Sequence, residues 1–310
     1  MARTNGVGVD RDVRLLLDAF DSFGERPAFS HYRSISPLRR WVGQRDPRQW
    51  ILFLERVTAR WLRSAGHYLL IPNQERFARR LVPLLSRIDH ILCKTRHAQE
   101  VFAPLHPSVR YIGFTSVDRR CLDITPDYSR FFHLAGGSFL KGTEVLFEVW
   151  SRHPEWPELT VVRHGGEAPV RVPANVNLVR VYVPDEELQS MQNACGVHLC
   201  PSRSEGWGHS IVEAMSCGAV TVTTDGPPMN ELIQSERGVL VPWRDSEPRK
   251  LGVNYSIDPA LLESAIADLI GRPASEKAAL GTAARHWFEQ NDRAFRANLE
   301  QVAESILPST

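Results

Sequence analysis

The 310-residue sequence contains no apolar run near the length of a membrane-spanning helix, and no signal-like apolar stretch near its start. The expectation is therefore a cytoplasmic protein, at most peripheral at a membrane surface. Cysteine is scarce. Cys93, Cys121, Cys195, Cys200 and Cys217 are odd in number, scattered, and form no C-x-x-C pair. That argues for reduced thiols rather than a disulfide framework, and against a zinc site. Lysine is scarcer still, four residues among 37 basic ones, and no charge sign dominates: the formal net charge is +1. The balance is uneven along the chain, however. Residues 1–130 hold 22 Lys and Arg against 13 Asp and Glu, and the remainder holds 15 against 23. A basic first part raises an acidic partner, nucleic acid or an anionic membrane surface.

What is present points to an ordinary globular α/β chain. Hydrophobic residues make up 43% and charged residues 24%, and the length accommodates two domains. Strand-like runs alternate with helical ones, which implies parallel sheets. In the first part, the glycine turn around Gly6 and Gly8 leads into a helix from Val13. Strands follow at Pro27–Tyr32 and Trp50–Glu55, a helix at Thr58–Ser64, and a strand from His67 ending in Asn73-Gln74-Glu75. A helix to Arg87, a strand from Ile88 to Thr95, a helix to Phe102 and a strand over Val109–Phe114 complete it. Val117–Arg130 is polar and reads as a linker. Asp10-Arg11-Asp12 is formally a D-x-D metal motif, but acids in a helix's first turn explain it better.

The second part is organised around residues 196–223. Gly196–Cys200 reads as a buried strand, Pro201–Gly208 as a glycine-punctuated turn, Ser210–Cys217 as a helix, and Val220–Thr223 as the next strand. Such a turn lies at the carboxyl end of its strand, where open α/β sheets bind ligands. Gly206 and Gly208 let backbone approach a ligand, and free amides at the helix start favour an anion. Glu205 and Glu213 add two acceptor-only carboxylates. A ligand with both phosphate and hydroxyl groups, such as a nucleotide sugar, fits. A plainer reading stays open: Ser210-x-x-Glu213 is also a capping box, and Glu205 an ordinary loop carboxylate.

The string P-S-x-x-E-G-x-G-x-x-x-x-E-A-M-x-C-G resembles the donor-site signature of the GT-B glycosyltransferases of the large retaining family 4. Gly136-Gly137-Ser138-Phe139-Leu140-Lys141-Gly142 is similar to that family's G-x-x-x-K-G segment. The resemblance implies two Rossmann-like, doubly wound domains facing a central cleft, with a shortened N-terminal domain. On this reading residues 1–122 form the acceptor-side domain and 123–284 the nucleotide-sugar domain, and a final helix, 285–310, crosses back. It implies a metal-independent, retaining transfer from a nucleoside diphosphate sugar to a hydroxyl of a saccharide or lipid-linked glycan. Alternatives are transfer to nucleic acid, or sugar-nucleotide binding without catalysis. Carried over by position, Lys141 and Glu205 are catalytic, the first toward the departing diphosphate and the second near the anomeric centre. Glu213 meets the ribose. Gly137, Ser138, Gly206, Trp207, Gly208, His209 and Ser210 line sugar and phosphate, and the base passes near Tyr182 and Val183. For Lys141 an exposed loop lysine, and for Tyr182 plain packing, are the competing readings. Gly6, Gly8, Asp10, Asn73 and Glu75 fall on the acceptor side. Two departures stand out. The glycine turn lacks the Arg of many relatives, which leaves Lys141, the helix start at Ser210 and Arg163 for the diphosphate. The strand ending at Asn73 also offers no His.

Overall fold

The computed structural model describes residues 8–31, 46–165 and 171–306. The chain forms two compact units. The first comprises Met1–Ser116, Pro248–Val253 and Asn291–Thr310, and the second Val117–Glu247 and Asn254–Gln290.

In the first unit, β1 (Asp46–Glu55), β2 (Ala65–Pro72), β3 (His90–Cys93) and β4 (Val109–Tyr111) form a parallel sheet in that order. Helix α1 (Gly8–Ser22) buries Val9, Asp12, Leu15, Leu16, Ala19 and Phe20, a spacing of three and four that marks one face. Asp12 turns inward to accept a 2.5 Å bond from Lys94, both being almost fully buried. The D-x-D triplet is thus divided between the helix start and an internal ion pair. Helix α2 (Arg96–Phe102) is capped by Thr95, whose hydroxyl accepts from the Ala98 amide.

Three expected elements of this unit differ. Pro27–His31 forms no strand beyond an isolated bridge at His31. It is largely exposed, and Pro27 has no amide to give a ladder. Thr58–Ser64 makes only a 3-10 turn, Ala59–Trp61. The stretch before Ile88 is a series of 3-10 turns over Arg79–Arg87, because Pro83 inside it cannot donate an α-helical bond.

The second unit holds a six-stranded parallel sheet built from β5 (Asp127–Leu134), β6 (Leu159–Val162), β7 (Val176–Val179), β8 (Cys195–Cys200), β9 (Val220–Thr224) and β10 (Gly238–Val241). Their spatial order is β10-β9-β8-β5-β6-β7, the doubly wound arrangement that reverses direction between β5 and β8. β8 and β9 are buried along their whole length, and the polar residues within them are buried too: Thr223 donates its hydroxyl to the Cys200 carbonyl and His198 pairs with that of Gln192. Helices α3 (Thr143–Arg152), α4 (Asp185–Ala194), α5 (His209–Ser216), α6 (Met229–Leu232) and α7 (Pro259–Gly271) complete the unit. Trp150 of α3 packs edge-on against Phe131, and Leu262, Ile266 and Leu269 of α7 join the same core. The final helix α8 (Ala274–Ile306) contributes Ala284 and Phe288 to the second unit's buried set and Phe295 to the first's, where it meets Phe114.

The expected linker is largely part of this unit. Asp127 already begins β5, and Arg119 is buried, bonding both carboxylate oxygens of Asp185 and the side chain of Gln192. The strand expected through Val183 ends at Val179. A hairpin of β11 (Trp243–Arg249) and β12 (Gly252–Ile257) was not expected from the sequence.

Candidate functional site

Successive strands leave β5 and β8 in opposite directions across the sheet, so the loops following them diverge and open a crevice between them. The loop after β5 carries Lys141, and the loop after β8 carries Glu205. Although 64 positions apart, they meet: Lys141 Nζ donates to Glu205 Oε1 at 2.6 Å and to Ser210 Oγ at 3.0 Å. The Lys141 and Glu205 side chains keep 19% and 13% of their accessible surface, so both are reachable but not solvated. That rules out the reading of Lys141 as an ordinary exposed loop lysine.

Backbone geometry brings the loops this close. Gly142 is left-handed, φ 72°, and a Cβ there would stand 2.1 Å from the Pro201 carbonyl oxygen. Only glycine lets the two loops touch. Gly208 is also left-handed, φ 113°, and is the N-cap of α5, with no side chain capping the helix. The capping-box reading therefore fails: Ser210 is the second residue inside the helix rather than its cap. Its hydroxyl faces Lys141 instead, beside helix-start amides that lack intrahelical acceptors.

Glu213 lies within α5 and is 1% exposed. Gln192 Nε2 approaches its Oε2 at 3.4 Å, while Gln192 Oε1 accepts from Arg119 Nε at 2.9 Å. Arg119 and Gln192 are thus contributors that no local motif marked; burial and long-range pairing reveal them, and neither is visible in sequence spacing. Arg163 is turned aside, pairing with Glu144 at 3.0 Å in the first turn of α3. Gly206, Trp207 and Gly208 are buried within the turn, with His209 half-buried at the start of α5. Ser138 caps the short turn before Lys141 by accepting from the Leu140 amide, and Gly137 precedes it. Tyr182 is 81% exposed and Val183 half-buried, so packing does not account for Tyr182.

Thiol chemistry is absent from the site's surroundings. Burial pushes Cys200 and Cys217 up to about 12, leaving both protonated and inert. Among the described residues no group of His, Cys, Asp and Glu is arranged to hold a metal ion.

The expected acceptor-side residues lie in the first unit, apart from Gly6, which falls outside the described residues. Gly8 and Asp10 form the first turn of α1. Asn73 and Glu75 follow β2. Asn73 donates its amide to the Glu55 carbonyl, and Arg76 lies 3.3 Å from the Glu55 carboxylate and 3.8 Å from that of Glu75. Glu55, which the sequence did not single out, is buried and left-handed at φ 67°, unusual for a residue with a Cβ.

Residues 172–257 match the family model of glycosyl transferases group 1. The matched segment contains Glu205, Gly208 and Glu213 but not Lys141. No curated protein matches by sequence. Among solved structures, TarM superposes with a TM-score of 0.67 at 12% identity, over 86% of this chain and 56% of its own. The pneumococcal O-GlcNAc transferase GtfA, in complex with UDP and GlcNAc, gives 0.66 at 16% identity, over 91% and 61%. Anabaena HepE with UDP and glucose gives 0.61 at 14% identity, over 82% and 78%. The chain spans less than two thirds of the length of TarM or GtfA. The fold is that of GT-B glycosyltransferases.

Proposed function

We propose that this chain transfers a sugar from a nucleoside diphosphate sugar to a hydroxyl acceptor. The observation that carries the reading is the Lys141–Glu205–Ser210 contact at the point where the second sheet reverses direction. A cation beside a helix start suits a diphosphate, and a carboxylate beside it suits sugar hydroxyls. In the transfer, the bond from the anomeric carbon to the β-phosphate oxygen breaks and one to the acceptor oxygen forms. The acceptor proton leaves with the departing diphosphate. Lys141 stabilises the charge that builds on that leaving group. Glu205 orients the sugar, and exposed Tyr182 offers a face to the base. Glu213 is assigned to the ribose hydroxyls. Retention, family 4 membership and independence of metal belong to the proposal, supported by the string from Pro201 to Gly218.

A thermal-shift screen against UDP-, GDP-, ADP- and dTDP-glucose tests the donor class. A bound donor at one hundred times its Kd adds about 2.7 kcal/mol of stability, a rise of several degrees in Tm.

A cavity in the first unit favours a lipid-linked acceptor over a free saccharide. It is a half-open pocket of about 420 Å³ lined by Leu16, Phe20, Trp50, Leu52, Val302 and Ile306, with Glu25 and Arg26 also in its wall. That is far beyond the small voids of a packed core and falls within the range of ligand pockets. Dodecyl glycosides are therefore expected to give a lower KM than butyl glycosides, and Ala303→Trp, which fills the cavity, to remove the difference. Equal KM values for both chain lengths in the native enzyme would return the acceptor to a free saccharide.

A further inference from the structure

His133 is the penultimate residue of β5, directly before the loop that carries Lys141, and is 1% exposed. Its ring touches neither Lys141 nor Glu205. Nδ1 lies 2.7 Å from the carbonyl oxygen of Leu199, on β8 just before the loop that carries Glu205. Nε2 lies 2.9 Å from Thr143 Oγ1, the first residue of α3 and two positions past Lys141. One imidazole therefore binds the roots of both loops and the start of the helix between them.

The chemistry allows one arrangement. A carbonyl oxygen only accepts, so Nδ1 carries the hydrogen; Nε2 is then the acceptor, and the Thr143 hydroxyl donates to it. Burial holds the ring's pKa down to about 4, with Lys141 and Arg163 adding to the effect against the Leu199 bond. The ring stays neutral at ordinary pH, and its tautomer is fixed. With no solvent to substitute for a lost partner, removing either bond leaves a buried polar group unpaired, and the loops must move to relieve it.

We propose that His133 and Thr143 are a positioning pair that sets the distance between Lys141 and Glu205 by bracing the two loops against β8. The consequence for turnover rests on the donor-site reading of Lys141 and Glu205; the bracing itself does not. Only four lysines are present, which makes a substrate-free test practical. Acetylation of the full chain by acetic anhydride, followed by proteolysis and mass spectrometry of the peptides, reports Lys141 against Lys250, an exposed reference. Thr143→Val removes the donated hydroxyl without changing side-chain size. It is expected to raise Lys141 labelling several-fold relative to Lys250, and Thr143→Ser to restore the native rate. Unchanged Lys141 labelling in a folded Thr143→Val variant overturns the proposal, whatever the donor screen shows. The native protein carries a second test independent of any variant. Histidine ¹⁵N spectra are expected to show His133 protonated at Nδ1 alone between pH 8 and pH 5; protonation at Nε2 overturns the arrangement.

Discussion

At the scale of single residues, the Lys141 charge is already partnered within the protein. Glu205 holds Lys141 at 2.6 Å, where a bound anion would compete for the same ammonium. A diphosphate therefore approaches a cation already partnered and a carboxylate of its own sign. Glu205→Gln removes that repulsion and is expected to tighten binding of a free nucleoside diphosphate by on the order of 1 kcal/mol, about fivefold. Turnover is expected to fall in the same variant, because the sugar loses its orienting carboxylate. Calorimetric titration beside an initial-rate assay separates the two effects, and weaker nucleotide binding in the variant would contradict the account. Lys141 and Glu205 were legible in the sequence because glycine turns flank them at recognisable spacing. Their meeting was not, since it depends on the strand order that makes β5 and β8 neighbours. Arg119 and Gln192 gave no signal at all: each is an ordinary polar residue until the fold buries them together, Gln192 beside Glu213 and Arg119 against Gln192. Ser210-x-x-Glu213 gave a misleading one. Gly208, φ 113°, took the cap position two residues earlier and left the serine hydroxyl for Lys141.

Among the elements, the loops after β5 and β8 also meet backbone to backbone. Gly142→Ala would place a methyl 2.1 Å from the Pro201 carbonyl oxygen in a left-handed residue. A loss of about 1–3 kcal/mol is expected, read as a lower denaturation midpoint, with the two loops pushed apart and donor affinity reduced. Native stability and donor affinity in that variant would show that the loops do not need their contact. The strands of the second sheet were readable because short runs rich in Val and other apolar or β-branched residues are bounded by polar and glycine turns. The hairpin β11–β12 was not, because β11, with sequence WRDSEPR, is exposed at six of its seven residues and has no apolar alternation. In the first unit, Pro83 and Pro27 overrode helical and strand-like composition by withholding an amide.

For the whole molecule, buried histidines make stability depend on pH. Burial lowers His133 and His198 to about 4, below the 6.5 of an exposed ring, and lowers His90 and His97 in the same direction. Between pH 6.5 and pH 4 the unfolded chain binds more protons than the folded one, so stability is lost as pH falls through this window. For His133 and His198 the loss reaches about 3 kcal/mol each at its acid end. His153, half-buried and raised chiefly by its bond to Glu263, works in the opposite sense. The Tm is expected to fall steadily from pH 6.5 toward pH 4.5, and His198→Asn to flatten that slope; an unchanged slope would mean these rings are hydrated. The alternation of strands and helices made the parallel α/β fold legible, whereas the assignment of Pro248–Val253 to the first unit was not, since it belongs to a hairpin the sequence did not mark. The central claim is that the second unit holds a nucleoside diphosphate sugar through Lys141. Isothermal titration of the native protein and of Lys141→Ala, with whichever of the UDP-, GDP-, ADP- or dTDP-glucose donors raises the Tm, tests it most directly. Saturable binding in the native protein and at least a tenfold weaker Kd in the variant, about 1.4 kcal/mol, is the expected result. Equal affinity in both, or no binding of any of the four, would contradict it.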